Sequence, residues 1–492
     1  MVFKDLVNCI SNYSNLFIGE EVENVDVTGI YIDSRKCDLN SMFVAYKGAV
    51  VDSHDFVLEA YKRGARFFVL NFVPYGLESM EDISYIVVKD SRESLALCSK
   101  VFYKYNDDVN LIGVTGTNGK TSTTHYIHKI LNDCGIYAGS IGTLGVYCKD
   151  EKIDKSITAS TTPEYVELID ILDYCKSKNV NNCVMEVTSH ALYYKKVFNL
   201  KFKVGVFTNL TQDHLDFHKT MDNYFDEKCK LFKMCDVAFI NIDDSWGEKL
   251  VGISPAKNYT YSIEDDKECD FKAKDITVTD KYVEFTVNLN GVDEKFKLNV
   301  PGKFTVYNAL SAVLVANISY GISANKIRRV FESMAGVPGR MYTVPSEKDF
   351  TVVVDYAHTP DALEKVIQSA KEVTSGRVVT IFGCGGDRDR TKRPIMCEIA
   401  TRLSDFTIIT SDNPRTEEPM NIINDVTKGV VSGSSYVEII DREEAIKYAI
   451  ENAVKNDFII IAGKGHEDYQ IIGTEKIHFD DVEIAKKYLG TK

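Results

Sequence analysis

Short runs of β-branched and aromatic residues recur along this chain, each ending in a polar cluster that leads into a helix-forming segment. LIGVTG leads to TNGKTSTTHYIHKILNDCG, NNCVMEV to TSHAL, and VGVFTNL to TQDHLDFH; TVVVDY, RVVTIFGCGG, FTIITSDNP and DFIIIAGKG behave alike further on. A strand that is apolar on both faces has to be covered on both faces. Helices of about 10 to 15 residues between such strands are the crossovers of a parallel sheet. The predicted class is therefore α/β, with ligands bound beyond the C-terminal ends of the strands. The clusters GTNGKT, EVTSH, TNLTQDH, DYAHTP, GCGGDRDR, SDNPRTEE and AGKGHED all fall at such ends.

The length of 492 residues suggests about three domains. Residues 1–105 carry short strands (MFVAY, ARFFVL, SYIVV) between polar turns, residues 106–338 hold the first strand–helix alternation, and residues 339–492 resume it after GVPGR. Within the middle segment, Val283, Phe285, Val287 and Leu289 recur at period two, a turn follows at Asn290-Gly291, and Phe296, Leu298 and Val300 resume the pattern. That spacing predicts an antiparallel hairpin.

Composition excludes several classes. The net charge of -14, from 58 Lys+Arg against 72 Asp+Glu, argues against a duplex nucleic-acid surface. Twelve cysteines without a C-x-x-C pair point to free thiols in a reduced cytoplasmic compartment. The N-terminus lacks a basic segment followed by a long apolar core, and no apolar run reaches the roughly 18 to 20 residues that span a bilayer. No membrane association is expected.

LIGVTGTNGKTSTT has the order of a phosphate cradle: strand, Gly-containing loop, helix. Gly116 and Gly119 let backbone N–H groups close on phosphate oxygens, Lys120 supplies a charge, and Thr121 can reach a magnesium ion. The strict pattern would place glycine where this chain has Val114. Glu186 closes the strand NNCVMEV and His214 follows VGVFTNL, so both face the cradle if those strands neighbour the first. His214 and His218 also have the spacing of a zinc pair on a helix, but no cysteine or carboxylate pattern completes such a site. Arg340, Asp355 and His358 follow turns or strands in the last segment. Arg390 and Arg393 in GCGGDRDRTKR read equally as a solvated face or a ligand site. Arg388 and Arg415, at strand ends among Gly, Asp, Asn and Pro, suit bidentate grip of a carboxylate.

Taken in order, TGTNGKTS, MEVTSHAL, TNLTQDHLDFH, VDYAHTPDAL, FGCGGDRDR, SDNPRTEEP and AGKGHEDYQ resemble the Mur ligases of peptidoglycan synthesis, and the resemblance extends to DSRK and MFVAYKG near the start. It implies a smaller N-terminal α/β domain for a UDP-sugar, a central P-loop-type ATPase, and a C-terminal Rossmann-like domain that brings ATP and the amino acid. The implied reaction joins the D-Glu carboxylate of UDP-MurNAc-L-Ala-D-Glu to an amine through an acyl phosphate, with ATP consumed and two Mg2+ ions assisting, in a cytoplasmic monomer.

The resemblance also implies roles. Gly116, Thr117, Asn118, Gly119, Lys120, Thr121, Ser122, Asn308, Arg340 and Asp355 would bind ATP, with His358 near the nucleotide. Thr121 and Glu186 would hold one magnesium, and His214 would serve a second. Lys228 in YFDEKCKLF reads by itself as a helix-surface lysine, but it stands where the family carries a lysine carbamate that binds metal. Ser34 would contact uridine, and Thr161, Thr162 and Ser189 the muramoyl peptide. Lys196 stands where the family usually has arginine, which keeps the charge and loses the bidentate grip. The DNPR form of the loop is associated with meso-diaminopimelate enzymes, and Arg388, Asp412, Asn413, Arg415, Gly463 and Glu467 would form that pocket. An L-lysine-adding ligase, folylpolyglutamate synthetase and a nucleotide-operated binding module are the alternatives.

Overall fold

The computed structural model describes residues 1–48, 51–153, 161–334 and 336–491. Contacts divide the chain into two units, Met1–Thr124 with Leu131–Tyr259, and His125–Ile130 with Thr260–Lys492. Strand and helix alternate through both, as the α/β pattern requires.

The first unit opens with a five-stranded sheet in the order Tyr13–Ile18, Ser84–Val88, Phe67–Leu70, Met42–Val44, Ile30–Tyr31. Its pairings are parallel except at Tyr13–Ile18. The next sheet centres on Asn110–Thr115, flanked in parallel by Asn182–Glu186 on one side and Phe202–Phe207 on the other. Cys235–Asn241 and Ala138–Gly142 extend the parallel array outward. Residues 111–115 and the whole of Asn182–Glu186 are buried, which explains the apolar runs at 111–114 and 183–185 within them. Because the strands run parallel, their C-terminal residues Thr115, Glu186 and Phe207 come out at one edge.

The second unit carries an antiparallel meander, Phe271–Val278, Val283–Leu289 and Val292–Leu298. The hairpin turns at Asn290-Gly291 with Leu289 opposite Val292, and Val283, Phe285, Val287, Leu289, Phe296 and Leu298 are buried, as the period-two pattern predicts. A six-stranded sheet of this unit has the order Tyr342–Thr343, Thr351–Asp355, Phe458–Ala462, Val378–Phe382, Phe406–Ile409, Tyr436–Glu438, parallel apart from Tyr342–Thr343. Successive side chains leave opposite faces. Val353, Phe382, Ile409 and Ile460 pack with Leu363, Met396 and Ile423 on one side, whereas Val354, Ile381, Ile408 and Ile461 pack with Ile446, Ala485 and Leu489 on the other. The helix Pro360–Val373 starts where its sequence says it should, with proline in the first turn and the Thr359 hydroxyl accepting from the Ala362 N–H. All twelve cysteines are free thiols.

Candidate functional site

In the first unit, the loop between Asn110–Thr115 and the helix Lys120–Asp133 is held from the neighbouring strand end. The Thr117 N–H donates to the Asn209 carbonyl at 2.9 Å, and the Asn118 N–H to Asn209 Oδ1 at 2.9 Å. The Thr208 hydroxyl donates to the Asn118 carbonyl at 2.6 Å. Lys120 Nζ folds back onto the carbonyls of Gly116 and Thr117 at 3.0 and 2.8 Å. Gly116, at φ 153°, has no room for a side chain, since a Cβ would stand 1.9 Å from Thr208 Oγ1. The result is a tight turn at a helix N-terminus, the geometry that collects anions.

Glu186 and Thr121 meet beside this turn. Thr121 Oγ1 donates to Glu186 Oε2 at 3.1 Å, and the Thr143 N–H donates to Glu186 Oε1 at 2.8 Å. A hydroxyl and a buried carboxylate at this position suit a hard cation, which takes oxygen ligands. Lys228, only 2% exposed, reaches the same loop from the helix Met221–Phe232, with Nζ 2.8 Å from the Gly116 carbonyl. It is not the surface lysine that its sequence context suggests. Burial pushes its amine well below the ordinary lysine range, the charge of Lys120 adds to this, and Asp213 opposes it. A neutral amine is the form that adds carbon dioxide. His214 occupies a left-handed turn, with its N–H on Asp213 Oδ1 at 2.8 Å and its ring edge-on to His190 at 4.8 Å. His218 turns instead to the Ser189 hydroxyl at 2.9 Å and stacks on Tyr224, so it makes no zinc pair with His214. Among the described residues no group of three His, Cys, Asp or Glu side chains forms a ready metal cage.

Further along the same unit, Thr162 Oγ1 donates to the Glu186 carbonyl at 2.9 Å, and Thr161 lies 3.4 Å from the Thr143 hydroxyl. Lys196 is buried against Glu164 at 2.8 Å. Arg92 approaches the same carboxylate at 3.7 Å, its guanidinium lying over the rings of Tyr46 and Tyr194. Ser34, buried at the start of the turn Ser34–Lys36, bonds Glu59 at 3.3 Å. Ser122 is buried in the first turn of the loop's helix.

The second unit holds the remaining residues. Asp355 ends its strand buried, accepting from the N–H groups of Met341 and Ala357 at 2.7 and 2.8 Å. Burial raises its carboxyl, and Arg340 works against that rise. The Arg340 guanidinium lies 4.8 Å over the Tyr356 ring, and His358 Nδ1 sits 2.7 Å from the Tyr356 carbonyl. Asn308 is buried in the helix Phe304–Leu314. Arg393 is neither solvated nor aimed at a ligand. It is fully buried, bidentate to Glu417 at 2.8 and 3.1 Å and paired with Asp425, and it holds the Glu417 carboxyl down at about 2.

Beyond the ends of Phe406–Ile409 and Phe458–Ala462, the loop Asp412–Arg415 meets the segment 463–471. Asn413 Nδ2 donates to Glu467 Oε2 at 3.0 Å, and its Oδ1 accepts from the Ile471 N–H at 2.9 Å. Gln470 holds the Asp412 carbonyl at 2.6 Å. Gly463 passes so close to Asp412 that a Cβ there would stand 2.6 Å from Oδ2. Arg415 is clamped through its backbone to Ile471 and Gly473, and its Nη1 donates to the Gly386 carbonyl at 2.8 Å. Arg388 is exposed nearby. Thr143, Asn209, Arg92, Glu164 and Lys464 escaped the sequence reading. Lys464, inside AGKGHED, and Asn209, inside TNLTQDH, lay in strand-end clusters.

The chain matches the family described as Mur ligase middle domain over residues 114–316 and the one described as Mur ligase, glutamate ligase domain over residues 339–465. A UDP-N-acetylmuramoyl-L-alanyl-D-glutamate--2,6-diaminopimelate ligase of Clostridium tetani is 44% identical, covering 94% of this chain and 95% of that protein. The one of Bacillus cereus is 42% identical over 99% of this chain and 98% of its own. A solved structure bearing the same enzyme name superposes with TM-score 0.69 at 30% identity, over 96% of each chain. The chain belongs to the Mur ligase family.

Proposed function

We propose that this protein is an ATP-dependent amide ligase joining meso-diaminopimelate to the D-Glu carboxylate of UDP-MurNAc-L-Ala-D-Glu, acting in the cytoplasm as a monomer. Relatives named for that reaction match it at 44% identity over nearly the whole chain. The observation that carries the amino-acid assignment is the coupling of Arg415 and Glu467 around Asn413, since Arg415 Nη1 also approaches the Asn413 carbonyl at 3.5 Å. One loop cluster thus carries both a guanidinium and a carboxylate. Diaminopimelate has a distal carboxylate and a distal ammonium to satisfy both, whereas L-lysine offers nothing to the guanidinium.

A carboxylate does not condense with an amine in water unaided. In the proposed reaction its oxygen takes the γ-phosphoryl group of ATP, releasing ADP. The amine then attacks the acyl carbon, phosphate leaves with the bonding pair, and the amine proton is given up. Two anions must meet for the first step, so positioning and neutralisation are the main demands. The loop Gly116–Lys120 would cradle the phosphates, with Lys120 swinging from its loop carbonyls to the anion. Thr121 and Glu186 would hold one magnesium, and His214 with a carbamate on Lys228 a second. Bound magnesium would supply charge neutralisation of the phosphates. Ser34, Thr161, Thr162, Ser189 and Lys196 would bind the UDP-sugar peptide.

The test is phosphate release with meso-diaminopimelate, L-lysine or L-ornithine as the only amine. Release that requires both the UDP-dipeptide and diaminopimelate is expected. Equal turnover with L-lysine, or release without either acceptor, would overturn the assignment.

A further inference from the structure

Lys464 lies within the second unit, directly after the strand Phe458–Ala462 and Gly463, and its side chain is fully buried. A lysine ammonium rarely goes so deep unless its surroundings use the charge. Nζ lies 3.2 Å from Asn413 Oδ1 and 3.6 Å from Glu467 Oε2. Asn413 therefore has its amide orientation fixed from three sides: Oδ1 by Lys464 and the Ile471 N–H, and Nδ2 by Glu467. Both contacts to the Glu467 carboxylate fall on Oε2, and among the described residues Oε1 takes none.

We propose that Lys464 is a positioning residue for amino-acid selection: its buried ammonium locks the Asn413 amide and pairs with Glu467 Oε2, leaving Oε1 to receive the distal ammonium of the incoming diamino acid. This rests on the reading of Glu467 as a contact to that amino acid.

The charges around Glu467 make the role specific. Burial is the largest influence and raises the Glu467 carboxyl; Asp412 raises it further, and the Asn413 amide and the Lys464 charge pull it down. Tyr356 and Tyr469 also face this carboxylate, and Arg442 feels both it and Asp412. Lys464 and Asn413 are thus the groups in direct contact that favour the anion over the neutral acid, with the charge of Arg442 adding to them. Without Lys464, burial and Asp412 are opposed only by Asn413 and the charge of Arg442, and Glu467 protonates at higher pH. A protonated Glu467 cannot receive an ammonium. The defect should consequently shrink as pH rises, which loss of packing alone would not produce.

The experiment compares Lys464→Met and Lys464→Gln with the unmutated enzyme from pH 6.5 to 9.5. The glutamine side chain can still donate to Asn413, so this variant removes the charge and keeps a hydrogen bond. The KM for meso-diaminopimelate is expected to rise about tenfold or more at the acidic end of this range in both variants and the defect to narrow as pH rises, with the KM for ATP within about twofold throughout. In a Glu467→Gln background, adding Lys464→Met should change the KM by less than about twofold. A pH-independent defect, or full additivity with Glu467→Gln, would overturn the proposal. If Glu467→Gln itself leaves the KM for diaminopimelate unchanged, the pocket reading fails instead, and the two failures are distinguishable. Should neither lysine variant fold, the unmutated enzyme labelled with 13Cε-lysine still decides. Lys464 must show an ammonium resonance at pH 7, and a neutral amine there would overturn the proposal.

Discussion

Lys228 Nζ stands 2.8 Å from the carbonyl of Gly116, the glycine that opens the turn before the helix Lys120–Asp133, and is buried in that position. A cation there would compete with Lys120 for the same oxygen-rich loop, and burial together with the Lys120 charge lowers the pKa of the Lys228 amine. Conversion to a carbamate would place an anion beside Lys120, where a second cation is disfavoured. Lys228→Ala is expected to abolish phosphate release, with partial recovery in buffers containing formate or acetate. Full activity of the variant without rescue would dispose of the carbamate.

The same burial makes stability pH-dependent in carbon-dioxide-free buffer. Unfolded lysine keeps its proton up to about 10.4, whereas folded Lys228 loses it well below that. Between the two values the unfolded chain binds one more proton, so lowering the pH favours unfolding. This residue should contribute a stability gain of about 1.4 kcal/mol for each unit of rising pH in that window. Urea midpoints measured at successive pH values below about 10 should climb more steeply for the unmutated protein than for Lys228→Met. Parallel slopes would mean that the amine is charged in the fold.

Gly116→Ala should cost about 2 kcal/mol or more in stability and eliminate ATP binding, because the added Cβ meets Thr208 Oγ1 at 1.9 Å in a backbone conformation that side chains rarely adopt. Thr208→Ala alone removes the hydroxyl bond to Asn118 and leaves the turn possible. Calorimetric titration with ADP should show weakened binding for Thr208→Ala and none for Gly116→Ala.

Arg415 is in the left-handed region, at φ 52°, with its backbone fixed to Ile471 and Gly473. Glycine tolerates that conformation better than alanine does, so Arg415→Gly removes the guanidinium with the least backbone disturbance. Both Arg415→Ala and Arg415→Gly should raise the KM for meso-diaminopimelate about tenfold or more while leaving that for ATP within about twofold. Equal effects on the two constants would remove Arg415 from the amino-acid pocket.

The parallel strands were legible because double-sided burial writes itself as uninterrupted Val, Ile and Phe, and the hairpin at Asn290-Gly291 because one-sided burial writes itself as alternation. Tyr13–Ile18 was not legible. It is an edge strand whose first residues are exposed, so YSNLFI carries neither signature. At the site, residues at strand ends announced themselves by their motifs, including Glu186, whose position beside Thr121 follows from the pairing of Asn182–Glu186 with Asn110–Thr115. Burial of long charged side chains did not. Lys228 by itself read as solvated on its helix and Arg393 read equally as a solvated face or a ligand site, yet both are interior, because their partners Gly116, Glu417 and Asp425 are distant in sequence. The hold of Asn209 on the loop at Asn118 was hidden for the same reason.

Arg442 and Asp481 form a bidentate pair, 2.7 Å at each contact, and both side chains are fully buried. Arg442 also donates to the Ala462 carbonyl at 3.0 Å, at the end of the strand that leads to Gly463 and Lys464. Arg442→Leu leaves Asp481 as a buried unpaired anion, and a loss of about 3 to 5 kcal/mol is expected. The double variant Arg442→Leu/Asp481→Leu removes that unpaired charge and should recover much of the loss, since a buried pair often does little better than apolar side chains of similar volume. Denaturant unfolding of the single and double variants measures both quantities. A double variant as unstable as the single one would show that the pair contributes through the Ala462 carbonyl and the strand end, not through mutual neutralisation.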